Sequence, residues 1–209
     1  MNTLKFGNVE ITYLKHAGFK VKGSKVLYID PYEVPEGMEK ADIILVTHDH
    51  FDHMDIKSIK RLSKADTTVV TPKGCIIEGF EACSLAEGED REVKGIKIKT
   101  VPAYNVKKPF HKKGGVGYII EMDGVKIYHA GDTDRIPEMK KIEVDIALLP
   151  IGGTYTMDVK EAVEAAWDIK ASVYIPMHYG AIPNTEADPE EFRLRVPKAV
   201  VLKPLLGKG

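Results

Sequence analysis

The chain has no glutamine, few asparagines, two cysteines, and no apolar run approaching the length of a membrane span. Its formal net charge is −1, so there is no overall basic field to draw in nucleic acid. No apolar stretch near the start resembles a secretory signal, and a cytoplasmic protein is the expectation. Cys75 and Cys83 match no metal-binding spacing and read as plain thiols rather than a bridge. Lysine dominates the cations and glutamate the anions, a bias similar to that of hyperthermophile proteins. No linker, repeat or low-complexity tract divides the 209 residues, which are expected to form one domain over residues 1–209.

What the chain does have is concentrated in residues 47–53, Thr-His-Asp-His-Phe-Asp-His. The β-branched run before it, 43–46, reads as a buried strand. After it, Asp55 is placed to cap a helix reaching about residue 64, with Ile56, Ile59 and Leu62 on one side. Three imidazoles and a carboxylate therefore crowd a turn between two rigid elements. Packing alone would have to satisfy histidine three times within six residues. Shared cations explain the cluster better, and neutral imidazole with carboxylate suits zinc, with iron or manganese as alternatives.

Other carboxylates and imidazoles stand at the ends of further predicted strands. Strands over 9–14, 19–22 and 26–29 form a meander that stops at Asp30-Pro31, and His16 lies in its first turn. Strands follow at 67–71 and 93–101, and residues 75–90 show no clear period. A hairpin turning at Asp123-Gly124 joins 116–122 to 125–130, and its second strand, which contains His129, leads to Gly131-Asp132. A strand over 145–151 runs to Gly152-Gly153, whose backbone could face an anion. Asp158 to Glu161 reads as a capping box opening a helix to about residue 169. A strand at 173–176 then delivers His178, a short helix begins at Asp188, and a last strand is expected over 199–202.

The pattern His48-x-His50-x-Asp52-His53 after an apolar strand resembles the signature of the metallo-β-lactamase fold superfamily, and more narrowly a branch of metal-dependent hydrolases similar to ascorbate-6-phosphate lactonase. The resemblance implies a four-layer αββα sandwich, where periodicity alone gives only mixed α and β. It implies two ions, expected to be Zn2+ with Mn2+ or Fe as alternatives. His48, His50 and His111 would hold one, Asp52, His53 and His178 the other, and Asp132 would lie between them. It casts Asp30 as support for the ligating loop, and His129 as core or support. His16 stands between a substrate-facing and a structural role.

One departure matters. The lactonase-like branch carries Pro-Ala-x-His where this chain has Pro102-Ala103-Tyr104-Asn105. Either His111 folds back to supply the missing imidazole, or Asn105 offers its carbonyl oxygen.

Two cations about 3.5–4 Å apart would make hydroxide from bound water near neutral pH, and Asp52 or Asp132 would move the proton. The expected function is hydrolysis of a small anionic ester, lactone or phosphodiester, with Lys107, Lys108, Lys112 and Lys113 holding a phosphate or carboxylate. The expected partner is thus a small molecule, phosphorylated in one form. No membrane is expected, nucleic acid is disfavoured, and oligomerisation is left open. Three alternatives remain: a nuclease, opposed by the near-zero charge; a redox di-iron centre, opposed by His50 where such relatives tend to have Glu; and a metal-holding module without turnover.

Overall fold

The computed structural model describes residues 1–111 and 115–207. Seven strands form the first sheet: β1 (Thr3–Phe6), β2 (Val9–Lys15), β3 (Gly18–Lys22), β4 (Val26–Ile29), β5 (Ile43–Leu45), β6 (Thr68–Pro72) and β7 (Ala82–Leu85). They lie side by side in chain order, antiparallel from β1 to β4 and parallel from β4 to β7. Six strands form the second: β8 (Asp90–Val93), β9 (Ile96–Ala103), β10 (Gly115–Met122), β11 (Val125–His129), β12 (Ile146–Pro150) and β13 (Val173–Met177). This sheet is antiparallel from β8 to β11 and parallel from β11 to β13.

The alternation read from the sequence decides the layers. In the first sheet Tyr13, Leu27, Ile29, Ile43, Leu45 and Val70 face the second sheet and share its core. Their neighbours Leu14, Tyr28, Ile44 and Val69 face outward onto helix α1 (Ile56–Leu62), which buries Ile59 and Leu62 against them. Asp55 caps α1 by accepting from the Lys57 N–H. On the far side, α2 (Val159–Asp168) and α3 (Pro189–Arg195) cover the second sheet through Ala162, Val163, Ala166 and Phe192. The four layers are therefore helix, sheet, sheet and helix, as the resemblance implied. Both halves of the expected capping box are present: Asp158 accepts from Glu161 N–H, and Glu161 accepts from Asp158 N–H. Among the described residues no helix is long and apolar enough to cross a membrane.

One expected element does not form. Residues 199–202 make only a bridge, Tyr174 with Ala199, rather than a strand. After Val200 N–H bonds Tyr174 O, the chain leaves β13 and crosses to the other sheet. There Lys203 N–H bonds Met1 O, and Leu205 N–H bonds Tyr13 O. Four elements had no forecast: β1, β7, β8 and a 3-10 helix over Pro137–Lys141.

The strand directions put chemistry at one edge. β2, β4 and β5 run the same way, so His16, Asp30 and residues 47–53 follow their ends. β9, β11 and β13 likewise end beside one another, followed by Asn105, Asp132 and His178. Backbone and side-chain bonds tie the two edges together: Val116 N–H to Thr47 O (3.0 Å), Tyr118 O–H to Val46 O (2.8 Å) and His178 N–H to His16 O (2.7 Å). Gly131 has no room for a side chain here: it sits at φ +63°, and a Cβ there would lie 2.7 Å from Val116 O of its own sheet and 3.4 Å from Thr47 Cβ of the other edge. Gly131→Ala should therefore destabilise the fold by about 1–3 kcal/mol in urea unfolding. An unchanged midpoint would show that this approach is not needed.

Candidate metal centre

Six of the seven histidines gather where these strand ends meet. The seventh, His129, lies beneath them in the core, its Nε2 bonded to Ala17 O at 2.8 Å, in line with the core option expected of it.

Three imidazoles have their outer ring nitrogen committed to a neighbour that accepts from it. His53 Nδ1 lies 2.7 Å from Asp30 Oδ2, so Nδ1 carries the hydrogen and Nε2 points inward. Thr47 donates its hydroxyl to the same oxygen, Asp30 Oδ2 (2.6 Å), and its N–H to Oδ1 (2.8 Å). With its proton committed there, Thr47 Oγ1 must accept from His48 Nδ1 at 3.0 Å, which leaves His48 Nε2 bare. His111 Nδ1 faces Tyr155 O (3.1 Å) and Asn105 Oδ1 (3.2 Å), leaving its Nε2 free as well. His16 Nδ1, the inner nitrogens of His48 and His53, both nitrogens of His178, and Asp132 Oδ1 are buried without an aligned hydrogen-bond partner, close as some of them lie to one another.

Donor atoms converge in three groups: His48, His50 and His111; His16, Asp52, His53 and His178; and His48, His53 and Asp132. Asp132 connects the first two. Its Oδ2 lies 3.0 Å from His178 Nε2 and 3.2 Å from His111 Nε2, and its Oδ1 lies 3.4 Å from His53 Nε2. All seven residues expected at the metals are thus brought together, with Asp132 between the two sets. His16 was missed as a member. It is 1 % exposed, and its Nε2 lies 2.9 Å from Asp52 Oδ2. His16, Asp30 and His178 all have positive φ, at 57°, 43° and 59°, a backbone conformation held here by the surrounding bonds.

Asn105 is not turned toward the cluster as a ligand. Its Oδ1 accepts the His111 N–H at 2.8 Å, and its Nδ2 donates to Asp134 Oδ1 and Tyr155 O, both at 3.0 Å. Asp134 gathers the rest of the loop, accepting from Val106 N–H (2.8 Å) and Lys108 Nζ (3.0 Å). Sequence reading gave no role to Asp134. Lys108 also reaches Glu161 and Thr156 O, so it is tied down rather than free to hold a substrate anion as expected. Lys107 is exposed, and Lys112 and Lys113 lie outside the described residues. The Gly153 and Thr154 N–H groups bond Met157 O and Gly152 O within their own loop instead of facing an anion.

The electrostatics follow from burial and company. Burial, then the charge of His178, lowers the His16 pKa to about 4. Burial, then His53, pushes His48 well below its ordinary value, and burial also lowers exposed His50. Burial opposes charge on His53 too, but Asp132 and Asp30 outweigh it and hold that ring well above the usual range. Asp52 and Asp132 resist burial's upward push, Asp52 through His16 and His53 and Asp132 through His178 and His53, and both end below the carboxylate range.

The chain is similar to known proteins over nearly its whole length. The family model described as "Beta-lactamase superfamily domain" matches residues 10–178. The UPF0173 metal-dependent hydrolase of Thermococcus onnurineus is 37% identical, with 94% of this chain and 97% of that one covered. That of Archaeoglobus fulgidus is 36% identical, covering 94% and 96%. A crystal structure from Parabacteroides distasonis has a TM-score of 0.88 at 30% identity, covering 97% of this chain and 98% of the other. Igni18, a metallo hydrolase from the hyperthermophilic archaeon Ignicoccus hospitalis, has a TM-score of 0.78 at 30% identity, covering 94% and 95%.

The titration pattern predicts acid sensitivity of the metal-free protein. Unfolded imidazoles titrate near about 6.5. Between that pH and about 4 the unfolded chain takes up protons that folded His16 and His48 refuse, so stability falls as pH falls. Each such group contributes about 1.4 kcal/mol per pH unit. Asp52 and Asp132, held below their unfolded values, act in the same direction at the acid end. His53 is protonated in both states below about 6.5 and adds no slope there. Urea unfolding with a chelator present should lose stability steadily across this window; a flat profile would contradict the burial argument. On the family match and these relatives together, the chain belongs to the beta-lactamase superfamily, among its UPF0173 metal-dependent hydrolases.

Proposed function

We propose that the protein is a metal-dependent hydrolase that binds two divalent ions and cleaves an ester, lactone or phosphodiester bond in a small molecule. The observation that carries this is the convergence of bare imidazole nitrogens and carboxylate oxygens from five separate segments at one edge. Packing has no use for buried lone pairs without donors, whereas a cation needs them. His48, His50 and His111 would hold one ion; Asp52, His53 and His178 the other, with His16 beside it and Asp132 reaching both. The donor set is nitrogen and oxygen only, and neither cysteine joins it among the described residues, which fits zinc and also manganese or iron. Such a pair, once bound, lowers the pKa of a coordinated water toward about 7 and polarises the attacked group.

The chain's own residues do the rest. Asp30 and Thr47 orient His53 and His48, and Asn105 and Tyr155 O orient His111, so the inward lone pairs need no rearrangement. Asp52 and Asp132 both reach the open cleft beside the cluster. Either carboxyl group can take a proton from the attacking water and return it to the leaving group. His16 holds Asp52 in position for that transfer.

His48→Ala and Asp132→Ala should each lose bound metal, and with it hydrolysis by about 100-fold or more. Metal analysis would be paired with a panel of lactones, esters and phosphodiesters supplied with Zn2+ or Mn2+, with circular dichroism to confirm folding. Full metal content in both variants would refute the ligand assignment. Metal retained by the wild type without turnover anywhere on the panel would favour a binding module.

A further inference from the structure

Beside the cluster lies a cleft of about 610 Å³, within the range of small-molecule sites. Part of its lining is the chemistry: His50, Asp52, His111, Asp132 and His178. Another part is apolar: Phe51, Pro109, Phe110, Tyr155 and Ile182. Phe51 is 69 % exposed and Phe110 45 %, so two large rings stand open to water at the mouth of the same cleft. Each is braced edge-to-face by a second ring. Tyr32 lies 6.1 Å from Phe51, and Tyr155 lies 4.9 Å from Phe110. Braced rings lose little freedom when something covers them. The one charge that the described lining places outside the ligand cluster is the exposed carboxylate of Asp49, which repels anions. Lys108, the cation nearest in sequence to Phe110 among the described residues, is held by Asp134 and Glu161.

Resting on the hydrolase reading of this site, we propose that the substrate carries an uncharged aromatic or bulky aliphatic group, seated against Phe51, Phe110 and Tyr155 while its scissile bond lies over the histidine cluster. This departs from the phosphorylated substrate expected from the sequence. There four loop lysines suggested an anion site; here the walls favour apolar area.

Hydroxamates, which dock on metal centres without needing turnover, give a direct test. The metal-loaded protein would be titrated by calorimetry with acetohydroxamate, benzohydroxamate and the carboxylate-bearing succinic monohydroxamate. Benzohydroxamate should bind about tenfold tighter than acetohydroxamate. That gain should vanish in a Phe51→Ala/Phe110→Ala variant of unchanged metal content, which keeps its fold because both rings are exposed. The carboxylate probe should bind no tighter than acetohydroxamate. The proposal is overturned if the carboxylate probe binds best, if the phenyl ring adds nothing, or if its gain survives the double substitution. In those cases the metal content stays normal and the hydrolase reading stands. A protein that takes up no metal overturns both.

Discussion

The buried carboxylate of Asp132 is the constraint on which the site depends. It is 5 % exposed and no lysine or arginine pairs with it among the described residues; its neighbours are the rings of His53, His111 and His178. A buried anion without compensation costs several kcal/mol. Its compensation must come either from the His53 ring, which Asp132 and Asp30 hold well above the usual imidazole range, or from cations bound among these rings. The same atoms thus meet the electrostatic cost in the metal-free state and offer the ligands in the loaded one. Because His53 comes from the first sheet and Asp132 and His178 from the second, meeting that cost also joins the two halves of the sandwich.

Around this centre, the protein uses a second ring of groups to settle which nitrogen of each imidazole is available. Asp30 acts on His53 directly and on His48 through Thr47, so one carboxyl group orients two candidate ligands. Asn105 does the same for His111 from the other sheet, and is itself held by Asp134. Three of the site's residues adopt left-handed backbone, a strain sustained where several bonds converge. The His178 N–H bond to His16 O links two of them directly.

Much of this was legible in the sequence, because strand ends are marked by local patterns. The 47–53 cluster, Gly131-Asp132 and Met177-His178 each follow an apolar run whose period is visible within a few residues. What was not legible depends on distant contacts. His16 gains its meaning from Asp52 and from His178, which lies far along the chain. His111 was expected to stand in for the imidazole missing at residue 105, but that the Asn105 amide itself holds His111 shows only once the loop folds back. The expected strand at 199–202 failed because the chain is drawn across to Met1 and β2, a destination no local pattern shows. β7 and β8 lie at the sheet edges with most of their side chains at least partly exposed, so little alternation marks them.

The account comes down to two ions caged by this set of residues. The most direct measurement is anomalous diffraction from crystals grown with zinc or manganese and recorded above and below the metal's absorption edge. Two adjacent peaks are predicted, one among His48, His50 and His111 and the other among Asp52, His53 and His178, with Asp132 reaching both. Peaks confined to other parts of the surface, or none in crystals saturated with metal, would contradict it.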